Sequence, residues 1–244
     1  MRLLSFCGLK FSASNFSAAL PEKNLKLVIT VNADFVIRAQ NDARLYSIIN
    51  RETSTIDGQV TLWLSRLFGK GDIRQFQKVS GSDLAPFLLD YCANNGQRAF
   101  LLGASEYSNR RAVERISQNY NVSIGGYAPP RSSYPFPVSM VEAIRKEIKE
   151  FSPDVIFVGM GSPKQEYWMD DEREFLERNG VKVVVGCGGT IDFLSGEISR
   201  APSWMQRLGL ESIYRLLAQP SSMRLQRILF SLRIFGVVFR HMKR

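Results

Sequence analysis

Apolar, β-branched runs alternate with helical patterns along most of this chain, and that alternation leaves few folds open. Candidate strands cover residues 25–31, 53–56, 98–102, 121–124, 154–158 and 181–186. Between them, apolar residues spaced by three and four predict helices over 33–49, 59–67, 82–94, 109–119, 139–151 and 163–179. The pattern predicts an α/β, Rossmann-like, mostly parallel sheet with helices on both faces. Ligands of such sheets bind beyond the carboxyl ends of the strands. There the chain is repeatedly polar or glycine-rich: Thr30-Val31-Asn32, Asp57-Gly58, Gly103-Ala104-Ser105, Gly159 to Glu166, and Gly186 to Asp192.

The stretch Gly159-Met160-Gly161-Ser162-Pro163-Lys164-Gln165-Glu166 follows a buried-looking strand and opens a helix. Ser162 suits the N-cap, Pro163 the first helical position and Gln165 the third, which makes a capping box. Gly159 and Gly161 let backbone approach a ligand, helix-start N–H groups attract anions, and Lys164 adds a full charge. A well-capped helix without a ligand accounts for the same residues. Gly103, Gly189 and Asp192, at other strand ends, complete a candidate nucleotide-sugar set with Pro163, Gln165 and Glu166. Asp192 can bond a ribose or base, or simply cap a helix.

Asp57 is the candidate catalytic base. It ends a short strand before Gly58, and a carboxylate there can take the proton of an attacking hydroxyl. Thr30 and Asn32 can orient it or hold the acceptor. Asp-Gly is also an ordinary turn. No Asp-x-Asp pair is present to hold a metal-bound diphosphate. Leaving-group charge then falls to backbone N–H groups, Lys164 and the arginines Arg215, Arg224 and Arg227. Asp170-Asp171 reads as part of a solvated helix face.

Charge is distributed unevenly. The chain has 244 residues and a net charge of +9. Seven basic residues (Arg215, Arg224, Arg227, Arg233, Arg240, Lys243 and Arg244) follow Ser212 with no Asp or Glu among them. Residues 1–196 read as the catalytic core and 197–244 as a basic helical appendage, in two segments broken at Pro220. Residues 228–239 are apolar but too short to span a bilayer. On a helical projection Arg224 and Arg227 fall on one side and Arg233, Arg240 and Arg244 on roughly the other, so the helix is not cleanly amphipathic. Apolar residues amid positive charge favour peripheral attachment to an anionic membrane surface, through Arg233, Arg240, Lys243 and Arg244, over a docked helix whose arginines are merely solvated and over nucleic-acid binding. The N-terminal Leu3-Leu4-Ser5-Phe6-Cys7 reads as a first folded element, not a signal peptide. Three dispersed cysteines and one histidine, His241, give no disulfide framework, zinc site or histidine-based triad. The proline-rich loop 131–137 reads as a surface connection more readily than as a mobile lid.

Taken in order, the motifs resemble one family. They are Thr30-x-Asn32, Asp57-Gly58, Val79-x-Gly81-x-Asp83-Leu84, Phe100-Leu101-Leu102-Gly103, Gly159-x-Gly161-x-Pro163-Lys164-Gln165-Glu166, Gly188-Gly189-x-x-Asp192-Phe193 and Arg200-Ala201-Pro202-x-Trp204-Met205-Gln206. Over residues 26–227 the chain resembles the WecG/TagA/CpsF glycosyltransferases. The resemblance implies a bacterial, inverting transferase that needs no metal or other cofactor. It would move a sugar from a UDP-sugar to a polyprenyl-diphosphate-linked saccharide at the inner face of the plasma membrane, in surface polysaccharide synthesis. The sugar stays open among N-acetylmannosamine, its uronic acid, glucose and glucuronic acid. The family's base aspartate falls on Asp57 and its acceptor-side Thr and Asn on Thr30 and Asn32. Its UDP-contacting Gln and Asp fall on Gln165 and Asp192, and a pocket tyrosine on Tyr134. Its arginine-bearing tail closes over the nucleotide, and some members form inactive oligomers without it, so a homo-oligomer stays open. The chain departs from the pattern at Lys78, where the family often has Arg, at Glu211-Ser212-Ile213, where it has Glu-Trp, and at Gln219-Pro220-Ser221-Ser222. A UDP-sugar-binding, membrane-associated module without catalysis is the alternative.

Overall fold

The computed structural model describes residues 3–218 and 220–243, apart from the side chains of Arg215 and Met223. Arg244 and the Arg215 side chain, both expected to meet anions, lie outside the described residues.

A hairpin of β1 (Leu4–Phe6) and β2 (Leu9–Phe11) comes first, with every second residue buried. β3 (Lys26–Val31) leads into α1 (Ala33–Arg38) and α2 (Ala43–Arg51). β4 (Thr53–Ile56) leads into α3 (Gln59–Phe68), and β5 (Lys70–Gly71) returns to pair with β1. There follow α4 (Gly81–Asn94), β6 (Arg98–Gly103), α5 (Glu106–Asn119), β7 (Ser123–Tyr127), α6 (Val138–Phe151) and β8 (Val155–Gly159). Next come α7 (Lys164–Asp171), α8 (Arg173–Arg178), β9 (Val183–Gly186) and α9 (Thr190–Leu194). The chain closes with α10 (Ser203–Arg207), α11 (Glu211–Ala218), α12 (Ser222–Ser231) and α13 (Ile234–Met242).

Six strands form a parallel sheet in the order β4-β3-β9-β8-β6-β7. All six expected strands are present. Those in the middle of the sheet are buried on both faces, which is why they read as unbroken apolar runs instead of alternating ones. The chain leaves β6 towards one edge and β8 towards the other, so the topological switch falls between those two strands, where Gly103 pairs with Gly159.

By contacts the chain divides into two units. One comprises Met1–Ala18, Thr30–Ser80 and Ile198–Arg244; the other comprises Ala19–Ile29 and Gly81–Glu197. In the first, α12 and α13 pack on α1, α13 also meets α3, and Ile234, Val237 and Val238 are buried. Arg38 of α1 stacks over Phe230 of α12 at 5.3 Å. His241 Nε2 lies 2.9 Å from Gln40 Oε1. In the second, α4 and α9 pack together, and α5 packs on β7 and α9.

Two expected helices are each split in two. Over 33–49 the chain leaves the helix at Ala39, and Asp42 Oδ1 accepts from Leu45 N at 2.9 Å to start α2 afresh. Over 163–179 the break comes at Glu172, whose buried carboxylate accepts twice from Arg145 of α6, at 2.6 and 2.9 Å. The expected pair of C-terminal segments is four helices, with turns at Gly209, Pro220 and Arg233. The three cysteines are free and buried.

Candidate active site

Two groups of candidate residues exist, one in each unit. In the first unit, Thr30 is buried at the end of β3 and Asn32 follows two residues later, on the same side of the extended chain. Asn32 is the N-cap of α1: its Oδ1 accepts from Asp34 N at 3.0 Å and Phe35 N at 3.4 Å. A planar carboxamide fixed by its oxygen presents its NH2 on the other side, so Asn32 meets its surroundings as a donor. Asp57 lies beside Val31, to whose carbonyl its N–H donates at 2.9 Å. Gly58 then turns at φ +99° into α3. The Thr55 hydroxyl and Val79 N–H tie β4 to the segment bearing Lys78, at 2.8 Å each. Thr30, Asn32 and Asp57 thus gather at two neighbouring strand ends, as read from the sequence.

In the second unit the strand-end loops of β6, β8 and β9 crowd together. A Cβ on Gly103 would lie 2.7 Å from the Gly159 carbonyl carbon, and one on Gly159 2.8 Å from Gly188 O. At these two glycines the missing side chain makes room for neighbouring backbone, a requirement that stands apart from any ligand. Gly161 differs: its φ is +86° and a Cβ there would meet nothing within 4 Å. Gly188, which the sequence reading passed over for Gly189, has the same character. Gly189 is exposed and precedes α9, with Asp192 in the helix's first turn.

The capping box at α7 does not form. Pro163 takes the N-cap position with no side-chain cap, and Ser162 Oγ is buried without a hydrogen-bond partner. The turn at Gly161 aims its own N–H, not that of Ser162, at Gln165, whose Oε1 accepts at 3.1 Å. The Gly161 N–H is thereby engaged within the protein and is not offered to an anion. Gln165 and Glu166 are both buried, and Gln165 Nε2 donates to Glu166 Oε1 at 2.6 Å. Burial pushes the Glu166 carboxyl up to about 7, opposed by Gln165, by its own backbone N–H and by the nearby Ser162. Glu166 sits beneath the loop and shapes it from below.

Lys164 donates from Nζ to Ser132 O at 2.7 Å and so anchors the 131–137 loop on α7. Tyr134 of that loop hydrogen-bonds Asp171 through its hydroxyl and packs its ring 5.3 Å from Tyr167 and 5.2 Å from Phe136. These contacts hold the loop against α7. Asp171 is solvated as expected but also serves as the loop's partner. Neither Ser132 nor Asp171 carries a motif, and only folding brings them to Lys164 and Tyr134.

On the appendage, Arg224 is half-buried, while Arg227, Arg233, Arg240 and Lys243 are exposed. Leu225, Leu229, Leu232, Phe235, Phe239 and Met242 are exposed as well, spaced by three and four. As expected, the segment is not cleanly amphipathic. The α13 face bearing Ile234, Val237 and Val238 is covered, and the stripe beside it, Phe235, Phe239 and Met242, is apolar and open. No helix among the described residues is long and apolar enough to cross a membrane. Among them, too, no group of three His, Cys, Asp or Glu side chains could hold a metal ion.

The sequence profile described as the glycosyl transferase WecG/TagA/CpsF family matches residues 7–244. The N-acetylglucosaminyldiphosphoundecaprenol N-acetyl-beta-D-mannosaminyltransferase of Bacillus subtilis (strain 168) is 32% identical over 196 residues, 80% of this chain and 72% of that protein. The protein of the same name from Bacillus spizizenii (strain ATCC 23059 / NRRL B-14472 / W23) is 29% identical over 199 residues, 81% of this chain and 73% of that protein.

Proposed function

This chain belongs to the WecG/TagA/CpsF family of glycosyltransferases, and from that premise we propose that it transfers a sugar from a UDP-sugar to a polyprenyl-diphosphate-linked saccharide, with inversion and without a metal. The observation that carries the proposal is Asp57 beside Thr30 and Asn32 at adjacent strand ends. A transferase needs a base at the attacking hydroxyl and donors to hold that hydroxyl in place.

In the proposed reaction the Asp57 carboxylate takes the acceptor hydroxyl's proton as the oxygen attacks the anomeric carbon in line. The C–O bond to the diphosphate breaks, and UDP leaves with the electron pair. Asn32, a donor by virtue of its cap, and Thr30 orient the acceptor. Tyr134, Asp192 and the Gly159–Glu166 turn bind the donor. Leaving-group charge is offset by Lys164 and by Arg215, Arg224 and Arg227, with residues 197–244 acting as an appendage that completes the site. N-acetylmannosamine is the first donor to test, because both relatives are named as transferring it.

The exposed stripe from Leu225 to Met242, flanked by Arg233, Arg240 and Lys243, supports peripheral attachment to an anionic membrane, where a lipid-linked acceptor resides. The proposed location is the inner face of the plasma membrane.

The test is transfer from a panel of UDP-sugars to a short polyprenyl-diphosphate-linked saccharide, in detergent with EDTA. Product from one donor establishes class, sugar and metal independence together. UDP binding with no product from any donor or acceptor would reassign the chain as a binding module.

A further inference from the structure

Glu166 works against folding. Its side chain is wholly buried, its Oε1 has a partner in Gln165, and its Oε2 has none. A neutral side chain of the same shape would avoid that cost. Buried acids held at such a disadvantage concentrate at functional sites. The bond Glu166 makes with Gln165 specifies what it does.

An ionised carboxylate can only accept. It therefore draws the Gln165 NH2 towards itself and turns the Gln165 oxygen the other way, onto the Gly161 N–H. The Gln165 N–H returns a bond to Gly161 O at 3.1 Å, so the turn is closed from both sides. Gly186 makes room for this: a Cβ there would lie 3.0 Å from both Gln165 Nε2 and Glu166 Oε1. We propose that Glu166 is a positioning residue for donor binding, its carboxylate setting the Gln165 carboxamide and, through it, the turn at Gly161. The assignment rests on the reading that the Gly159–Glu166 turn holds the UDP-sugar.

Protonation removes the constraint. A carboxylic acid can both donate and accept, so either orientation of Gln165 satisfies it, and the Gly161 N–H is released in one of them. The Glu166 carboxyl, pushed up to about 7, titrates where this matters. Cys187, on the loop after β9, is near enough to feel both Glu166 and Asp192 of α9. Burial foremost pushes the Cys187 thiol up to about 12, which leaves it neutral throughout. Among the described residues, no charged side chain is a cause of the Glu166 shift.

The experiment follows two quantities from pH 8.5 to 5.5: protection of the Gly161 amide from hydrogen exchange in the free protein, corrected for intrinsic rates, and UDP affinity. In the wild type both should fall together through neutrality, UDP affinity by about tenfold, the size of one lost charge-assisted bond. In Glu166→Gln both should be flat with pH and near the acid limit of the wild type. A wild type that binds UDP while its Gly161 protection does not titrate would overturn the proposal and leave the donor reading intact. Titrating protection without UDP binding would overturn the donor reading, and with it the role in donor binding. If Glu166→Gln does not fold, the wild-type titration decides alone.

Discussion

Asn32 holds a helix with one end of its carboxamide and offers a donor with the other, and substitutions separate the two. Asn32→Asp keeps an acceptor at the N-cap, so its thermal midpoint should stay within a few degrees of the wild type. The donor is lost, and transfer should fall at least about tenfold with a raised KM for the acceptor. Asn32→Ala loses both, at about 1 kcal/mol of stability. Full transfer by Asn32→Asp would remove Asn32 from the acceptor site. Glu166 makes a pH prediction of its own. Its carboxyl lies at about 7 in the folded chain against an ordinary 4.5. The folded chain therefore holds this proton longer than the unfolded one. The stabilisation is complete below pH 4.5 and is lost as pH rises to 7. Glu166→Gln should match the wild type near pH 4 and exceed it at pH 8 by on the order of 3 kcal/mol. Equal denaturation midpoints for the two proteins at pH 8 would mean that the carboxyl is not so displaced.

At the scale of elements, the glycines after β6 and β8 divide into two kinds. Gly103→Ala puts a methyl 2.7 Å from the Gly159 backbone at a φ of +108°. It should destabilise the chain by about 2 to 4 kcal/mol in denaturant titration. Gly161→Ala meets open space and suffers only its φ of +86°, a cost of about 1 to 2 kcal/mol. Equal losses would mean that the loops are not packed as described. The sequence could not separate these two cases, because a glycine facing backbone and one facing solvent are spelled alike. The strands were legible since burial on both faces leaves an unbroken apolar run. The breaks at Ala39 and Glu172 were not, for lack of a Gly or Pro: one depends on the Asp42 cap and the other on Arg145, which is 27 residues away. The placement of Asp57 and Asn32 at neighbouring strand ends was legible because the apolar runs of β3 and β4 stop just before them. The link from Glu166 through Gln165 to Gly161 was hidden, because the same letters spell a capping box.

At the scale of the whole molecule, the proposed attachment to a membrane rests on the charge of +9 and on the open stripe on α12 and α13. Phe235→Ser with Phe239→Ser alters only exposed positions. It should leave the thermal midpoint unchanged and weaken binding to phosphatidylglycerol vesicles by at least about tenfold, given the worth of a buried aromatic ring. Salt should weaken wild-type binding further, since surface attraction is screened within about 10 Å at 0.1 M. Unchanged vesicle binding by the double variant would detach the stripe from the membrane. The proposed transfer depends above all on Asp57 as its base. The measurement that bears on it most directly is transfer by Asp57→Asn beside the wild type, with UDP affinity determined on both. Loss of turnover by about 10² to 10⁴ with UDP affinity within about twofold is the predicted result. Wild-type turnover in Asp57→Asn would contradict it.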